Sequence, residues 1–158
     1  MRVAILTISD SVTRGEREDL SGPALVARCR ELGWDVTSAL RCSDDGAEVR
    51  SQLRTIADSG HTDLLLTTGG TGLGPRDNTP EATLDVADRA IPGLAEEIRR
   101  KGAEKTPNAL LSRGVAVARG NALIVNLPGS PKGAVESLNV IAHLLPHAVE
   151  VLRGAHHG

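Results

Sequence analysis

The chain has 158 residues, a length that suits one domain burying about two-thirds of its unfolded surface. Hydrophobic residues make up 40%, yet Trp34 is the single aromatic, so Ala, Val, Leu and Ile must build the core and no aromatic surface exists for stacking nucleic-acid bases. A formal net charge of −2 excludes a general grip on nucleic acid, and no run approaches the roughly 20 apolar residues of a membrane span.

Arg2 to Ser9 is an apolar, β-branched run that predicts a central strand. No basic and apolar leader precedes it, so the chain is expected to be soluble and cytoplasmic. Residues 10–20 are polar and predict a loop. Ser21-Gly22-Pro23 then opens a helix through Leu32, with Ser21 as N-cap and Gly33 as stop. Cys29 fits that helix as a small core residue, and Cys29 with Cys42 matches no metal-ligand spacing. Asp35 to Cys42 predicts a second strand. Asp44-Asp45 precedes a helix carrying Val49, Leu53, Ile56 and Ala57 at helical spacing and ending near Gly60. Asp63 to Thr67 predicts the third strand.

The segment that follows carries the most chemistry. Four glycines fall within residues 69–74 (Gly69, Gly70, Gly72, Gly74), more than a turn needs, and their N–H groups can face an anion. Arg76 and Asp77 stand side by side after them, and Thr79-Pro80 reads as N-cap and first helical position. Helix is expected from Pro80 to about Arg89, again from Pro92 to about Lys105, and as a short turn over Asn108 to Ser112. Gly114 to Ala118 and Ala122 to Asn126 flank Arg119-Gly120-Asn121 as a hairpin. Leu127 to Pro131 is a second special loop, Ser130-Pro131 caps the last helix, and Pro146 divides or kinks it.

Strands alternating with helices predict βαβ units and an α/β fold with a mostly parallel central sheet and one antiparallel edge hairpin, in one domain spanning residues 1–158. Loops 9–22, 67–79 and 127–131 each follow an apolar strand. In an open α/β sheet such loops line one crevice at the carboxyl ends, where ligands bind.

The glycine segment is not a Walker A motif, since no Gly-Lys-Ser/Thr follows. It fits a dinucleotide fingerprint poorly, because Pro75 takes the place of the third glycine. A phosphate loop joined to a carboxylate remains, as nucleotidyl or phosphoryl transfer with Mg²⁺ requires. The carboxylates near strand ends are Asp10, Asp19, Asp44, Asp45 and Asp77. Asp10 also suits a turn cap, Asp19 the helix start near Ser21, and Asp44 or Asp45 a helix N-terminus. Asp77 has no such duty, because Thr79 already caps the next helix. Arg14, Arg76, Arg113 or Lys132 could supply positive charge, whereas Lys105, Arg113 and Arg99 to Lys101 also read as solvated helix faces. His61, His143, His147 and the tail His156-His157 form no ligand pattern.

Thr7-Ile8-Ser9-Asp10, Asp19 to Gly22, Thr67 to Gly72 (TTGGTG), Pro75-Arg76-Asp77, Thr79-Pro80-Glu81, Leu111-Ser112-Arg113 and Asn126 to Pro131 (NLPGSP) occur in fixed order. Together they resemble the MogA/MoaB family of molybdenum-cofactor biosynthesis proteins, related to the gephyrin G domain, from Val3 to about Leu152. The resemblance implies a three-layer αβα fold that assembles as a trimer, transfers an adenylyl group from ATP to molybdopterin with Mg²⁺ and delivers the product to a molybdenum-insertion partner. Asp77 matches the catalytic acidic position. Asp44 matches the second, with Asp45 beside it as the alternative. Ser9, Asp10, Gly69, Gly70, Thr71, Gly72, Ser112, Pro128, Gly129, Ser130 and Pro131 match nucleotide- or pterin-contacting positions. Cys42-Ser43 stands where the family more often has Val-Pro, and Asn78 replaces a commoner Val. The family's MoaB-type members leave a pterin-binding role without catalysis as the alternative. A scaffold role and a nucleotide hydrolase are the remaining readings.

Overall fold

The computed structural model describes residues 1–154, and the His156-His157 tail lies outside them. Six strands form one sheet: β1 (Arg2–Ile8), β2 (Asp35–Cys42), β3 (Leu64–Thr68), β4 (Arg89–Ala90), β5 (Ala116–Arg119) and β6 (Ala122–Leu127). Their order is β2-β1-β3-β6-β5-β4. β2, β1, β3 and β6 run parallel, and β5 is antiparallel to both of its neighbours. The helices are α1 (Asp10–Thr13), α2 (Ser21–Glu31), α3 (Gly46–Ala57), α4 (Thr79–Val86), α5 (Pro92–Ala103), α6 (Pro131–Ile141) and α7 (Leu145–Leu152).

The central strands are apolar on both faces because helices cover both. On one face Val3, Ile5, Leu64, Leu66, Leu123 and Val125 pack against Leu25 and Cys29 of α2, Leu94 of α5, Leu138 of α6 and Leu145 of α7. The alternate residues Ala4, Leu6, Ile8, Leu65 and Ile124 meet Val49 and Leu53 of α3 and Ala82 and Val86 of α4. This is the expected three-layer αβα arrangement. Burial pushes the Cys29 and Cys42 thiols up to about 12, as inert core residues.

Several boundaries differ from the sequence reading, each for a local reason. Residues 10–13 form a helical turn instead of a loop, because the Ser9 hydroxyl caps it by accepting the Val12 N–H. Ser21 lies inside α2, and the Asp19 carboxylate accepts the Gly22 N–H in its place. Helix α4 stops at Val86 because Arg89–Ala90 leaves it to pair with β5, so the hairpin gains an outer strand. Pro146 divides the last helix as expected, with a 3₁₀ turn at Ala142–Leu144 before α7.

β1 lies between β2 and β3, with α2 packed on one sheet face and α3 on the other. The chain therefore changes winding direction at the carboxyl ends of β1 and β3, where a crevice opens. At the opposite end of the sheet, Asp63 is only 2% exposed and accepts the Arg2 N–H at 2.7 Å. It also pairs with the Arg2 and Arg153 guanidinium groups, tying α7's end to the start of β3.

Candidate active site

The loop after β3 reaches the crevice because two glycines turn through conformations closed to other residues. Gly69 has φ 104° and Gly70 has φ 70°. A Cβ on Gly69 would lie 2.3 Å from the Ile8 carbonyl oxygen, and one on Gly70 would lie 2.3 Å from Thr79 Oγ1. The turn exposes the Gly69 carbonyl, which takes the Thr79 hydroxyl at 3.0 Å. Thr79 is thus diverted from the expected capping role, and Asn78 occupies the N-cap without a side-chain capping bond, its amide donating instead to Asp44 O at 3.4 Å. Gly69 donates to Leu127 O and Gly74 to Asp77 Oδ2, so these two N–H groups serve the loop itself. Among the described residues, the N–H groups of Gly70, Thr71 and Gly72 donate to no protein acceptor. The free amides thus form a narrower set than residues 69–74.

Acidic side chains from three strand ends gather against this loop. The Asp44 carboxylate accepts the Asp10 N–H at 2.9 Å, and Asp10 returns the bond by accepting the Asp44 N–H at 3.0 Å. Arg76 grips Asp10 with two bonds of 3.0 Å each. That grip holds the Asp10 carboxyl down to about 2. Asp44 shifts the opposite way: burial raises its pKa, and the negative charges of Asp10 and Asp77 add to the effect. Asp45 is the α3 N-cap, accepting the Glu48 N–H at 3.1 Å, so its carboxylate is committed to the helix. Of the two neighbours, Asp44 lines the crevice and Asp45 does not.

Arg113 does what the sequence reading left undecided. Its guanidinium donates to Gly72 O at 2.8 Å, to Asp77 O at 2.8 Å and to Glu81 at 2.6 Å. It staples both ends of the glycine loop to the α4 entry and is not a solvated helix face. Arg99 likewise donates to Gly114 O at 2.8 Å. The sequence offered Arg113 as one of several cations but not its partners, which lie 32 to 41 residues away. Behind the loop, the buried Asn126 donates to the Thr67 and Thr83 hydroxyls and accepts the Val115 N–H.

Two cavities meet here. The first, about 440 Å³, is lined by Ser9, Arg17, Asp44, Gly69, Gly70, Asp77, Gly129, Ser130 and Pro131. The second, about 620 Å³ and more apolar, is lined by Thr71, Gly72, Leu73, Ile98, Ser112, Pro128 and Ser130. Ser130 borders both, while its hydroxyl caps α6 by accepting the Gly133 N–H at 3.0 Å. Asp10 lines neither of these two cavities and is bonded to Asp44 and Arg76. Lys101 and Lys105, read as solvated faces, stand in the wall of the second cavity.

No group of three His, Cys, Asp or Glu side chains suited to a metal occurs among the described residues. Asp44 and Asp77 are two hard oxygen donors lining the first cavity beside the free amides. That set fits Mg²⁺, which is held by one or two carboxylates and completed by phosphate oxygens and water.

The model for the probable molybdopterin binding domain matches residues 4–147. Over 98% of the chain, identity is 38% to the molybdopterin adenylyltransferase of Escherichia coli (strain K12), 86% of which is covered. Identity is 34% to the molybdenum cofactor biosynthesis bifunctional protein of Synechococcus elongatus, again over 98% of this chain, which spans 48% of that protein, about half its length. The crystal structure of the molybdopterin biosynthesis enzyme MoaB from Thermus thermophilus is 49% identical, with a TM-score of 0.91, covering 98% of this chain and 97% of that one. The chain belongs to the molybdopterin-binding domain family, the MogA/MoaB group that its motifs resemble.

Proposed function

We propose that this chain is a molybdopterin adenylyltransferase of molybdenum-cofactor biosynthesis, joining molybdopterin and ATP with release of pyrophosphate. One observation carries the reading: the free N–H groups of Gly70 to Gly72 stand beside Asp44 and Asp77, where the first cavity meets the more apolar second one at Ser130. An oxygen of the pterin's terminal phosphate attacks the α-phosphorus of ATP. The new P–O bond forms as the bond to the bridging α–β oxygen breaks, and pyrophosphate leaves. The attacking oxygen is already anionic, so no general base is needed.

The chain's task is to place two anions together and stabilise their charge. The Gly70 to Gly72 amides donate to phosphate oxygens. Asp44, fixed by Asp10, and Asp77, fixed by the Gly74 N–H and the Arg113 staple, would hold Mg²⁺ between them. Bound there, Mg²⁺ supplies charge neutralisation. Ser9, Thr71, Ser112 and the Pro128 to Pro131 segment shape the walls for the adenine and pterin parts.

Incubation with molybdopterin, ATP and Mg²⁺, followed by mass analysis, tests the proposal. Adenylylated pterin with one pyrophosphate per product is the expected result. Pterin binding without pyrophosphate release would make the chain a silent binder. We further propose a cytoplasmic homotrimer that delivers its product to a molybdenum-insertion protein. Leu73, Leu110 and Leu111 support self-association, being 68%, 60% and 54% exposed on the single chain. Sedimentation of a Leu110→Glu, Leu111→Glu variant as the same species as the native chain would remove that surface from the assembly. No helix among the described residues is long and apolar enough to cross a membrane.

A further inference from the structure

The basic residues around the crevice are mostly occupied. Arg14 pairs with Glu16, Arg76 with Asp10, Arg113 with Glu81 and Lys132 with Glu136. Arg17 differs. Among the described residues it is the one cation in the wall of the first cavity, which also holds the carboxylates of Glu18, Asp19, Asp44 and Asp77. Its only side-chain bond among those residues is a long one, 3.4 Å from Nη2 to Ser9 Oγ. Its position is set by the backbone: after the Gly15 turn, both the Glu16 and Arg17 N–H groups donate to Ser11 O, folding the chain back over β1's end. A guanidinium held beside a cavity by one weak bond is free to exchange that bond for a stronger, charge-assisted one.

We propose that Arg17 is a phosphate-binding residue of this site, leaving Ser9 Oγ to pair with a phosphate group lodged in the first cavity against the Gly70 end of the glycine loop. The inference rests on the function proposed above and adds to it the cation that the glycine loop itself lacks. Two substrates carry such a group, the nucleotide and the pterin, and Arg17 serves whichever places its phosphate in the first cavity.

The test compares native chain, Arg17→Met and Arg17→Lys by titration calorimetry. The probes are the non-hydrolysable ATP analogue adenylyl imidodiphosphate with Mg²⁺, molybdopterin, and adenosine as a phosphate-free control. Because Arg17 is exposed and its side chain makes one hydrogen bond among the described residues, to Ser9, all three proteins are expected to melt together. Arg17→Met is expected to bind one phosphate ligand about 10- to 100-fold more weakly, the worth of a charged hydrogen bond. Arg17→Lys should recover most of that loss, and adenosine binding should stay constant. The ligand that weakens identifies whose phosphate Arg17 holds. Both phosphate ligands bound by Arg17→Met within twofold of native would overturn the role of Arg17 alone. A native chain that binds neither would overturn the functional reading together with it.

Discussion

Asp10 and Asp44 hold each other by their backbones, each carboxylate accepting the other's N–H at 2.9 to 3.0 Å. The pair joins the ends of β1 and β2, two neighbouring parallel strands whose loops would otherwise move apart. Arg76 adds the glycine loop to the same knot by gripping Asp10. Three strand-end loops are therefore locked through one carboxylate.

This lock sets an acid limit. The Arg76 guanidinium holds the Asp10 carboxyl at about 2, below its unfolded value of about 3.9. A depressed carboxyl contributes stability above its unfolded pKa, and the contribution is lost as pH falls from about 4 toward 2. Arg76→Met returns Asp10 toward its ordinary range. Acid unfolding followed by circular dichroism should then begin at a higher pH in Arg76→Met than in the native chain. Coincident acid transitions would rule out the contribution.

Asp77→Asn separates chemistry from fold. Asparagine keeps an oxygen to accept the Gly74 N–H, so the loop should persist and melting should change little. Charge is lost where the metal would sit, and adenylyl transfer should fall by at least about 100-fold while pterin binding remains. Native turnover in this variant would take Asp77 out of the mechanism.

Gly70→Ala tests the loop itself. The added Cβ meets Thr79 Oγ1 at 2.3 Å and Asp44 Oδ1 at 3.2 Å, at a φ that alanine disfavours. A stability loss of about 1–3 kcal/mol in urea is expected, with weaker binding of nucleotide phosphates. Wild-type stability and affinity together would contradict this picture of the turn.

Asn126→Ala probes the support behind the loop. It removes the amide that serves the buried Thr67 and Thr83 hydroxyls and the half-buried Val115 N–H. A buried polar group left unpaired costs about 1–3 kcal/mol, so a drop in that range is expected by denaturant titration. Because β3, β6 and α4 meet at this residue, transfer activity should fall with stability. An unchanged midpoint would mean that water replaces the amide.

The amino-acid sequence by itself determined the layers, the parallel strands and the crevice at their carboxyl ends. These follow from local periodicity: strands apolar throughout must be covered on both faces, and helices of 11 or 12 residues must cover them. It also marked the glycine loop, Asp77 and the cap at Ser130, whose meaning lies within a few residues of chain. Tertiary structure alone decided the division of labour among similar side chains. Asp44 and Asp45 are neighbours of identical chemistry, yet one caps α3 and the other reaches 34 residues back to Asp10. Arg113 and Arg17 are both arginines near the loop, one bound to three groups and the other to a single hydroxyl. Such roles depend on partners brought near by strand order, and no local pattern encodes a distance between residues that only folding makes neighbours.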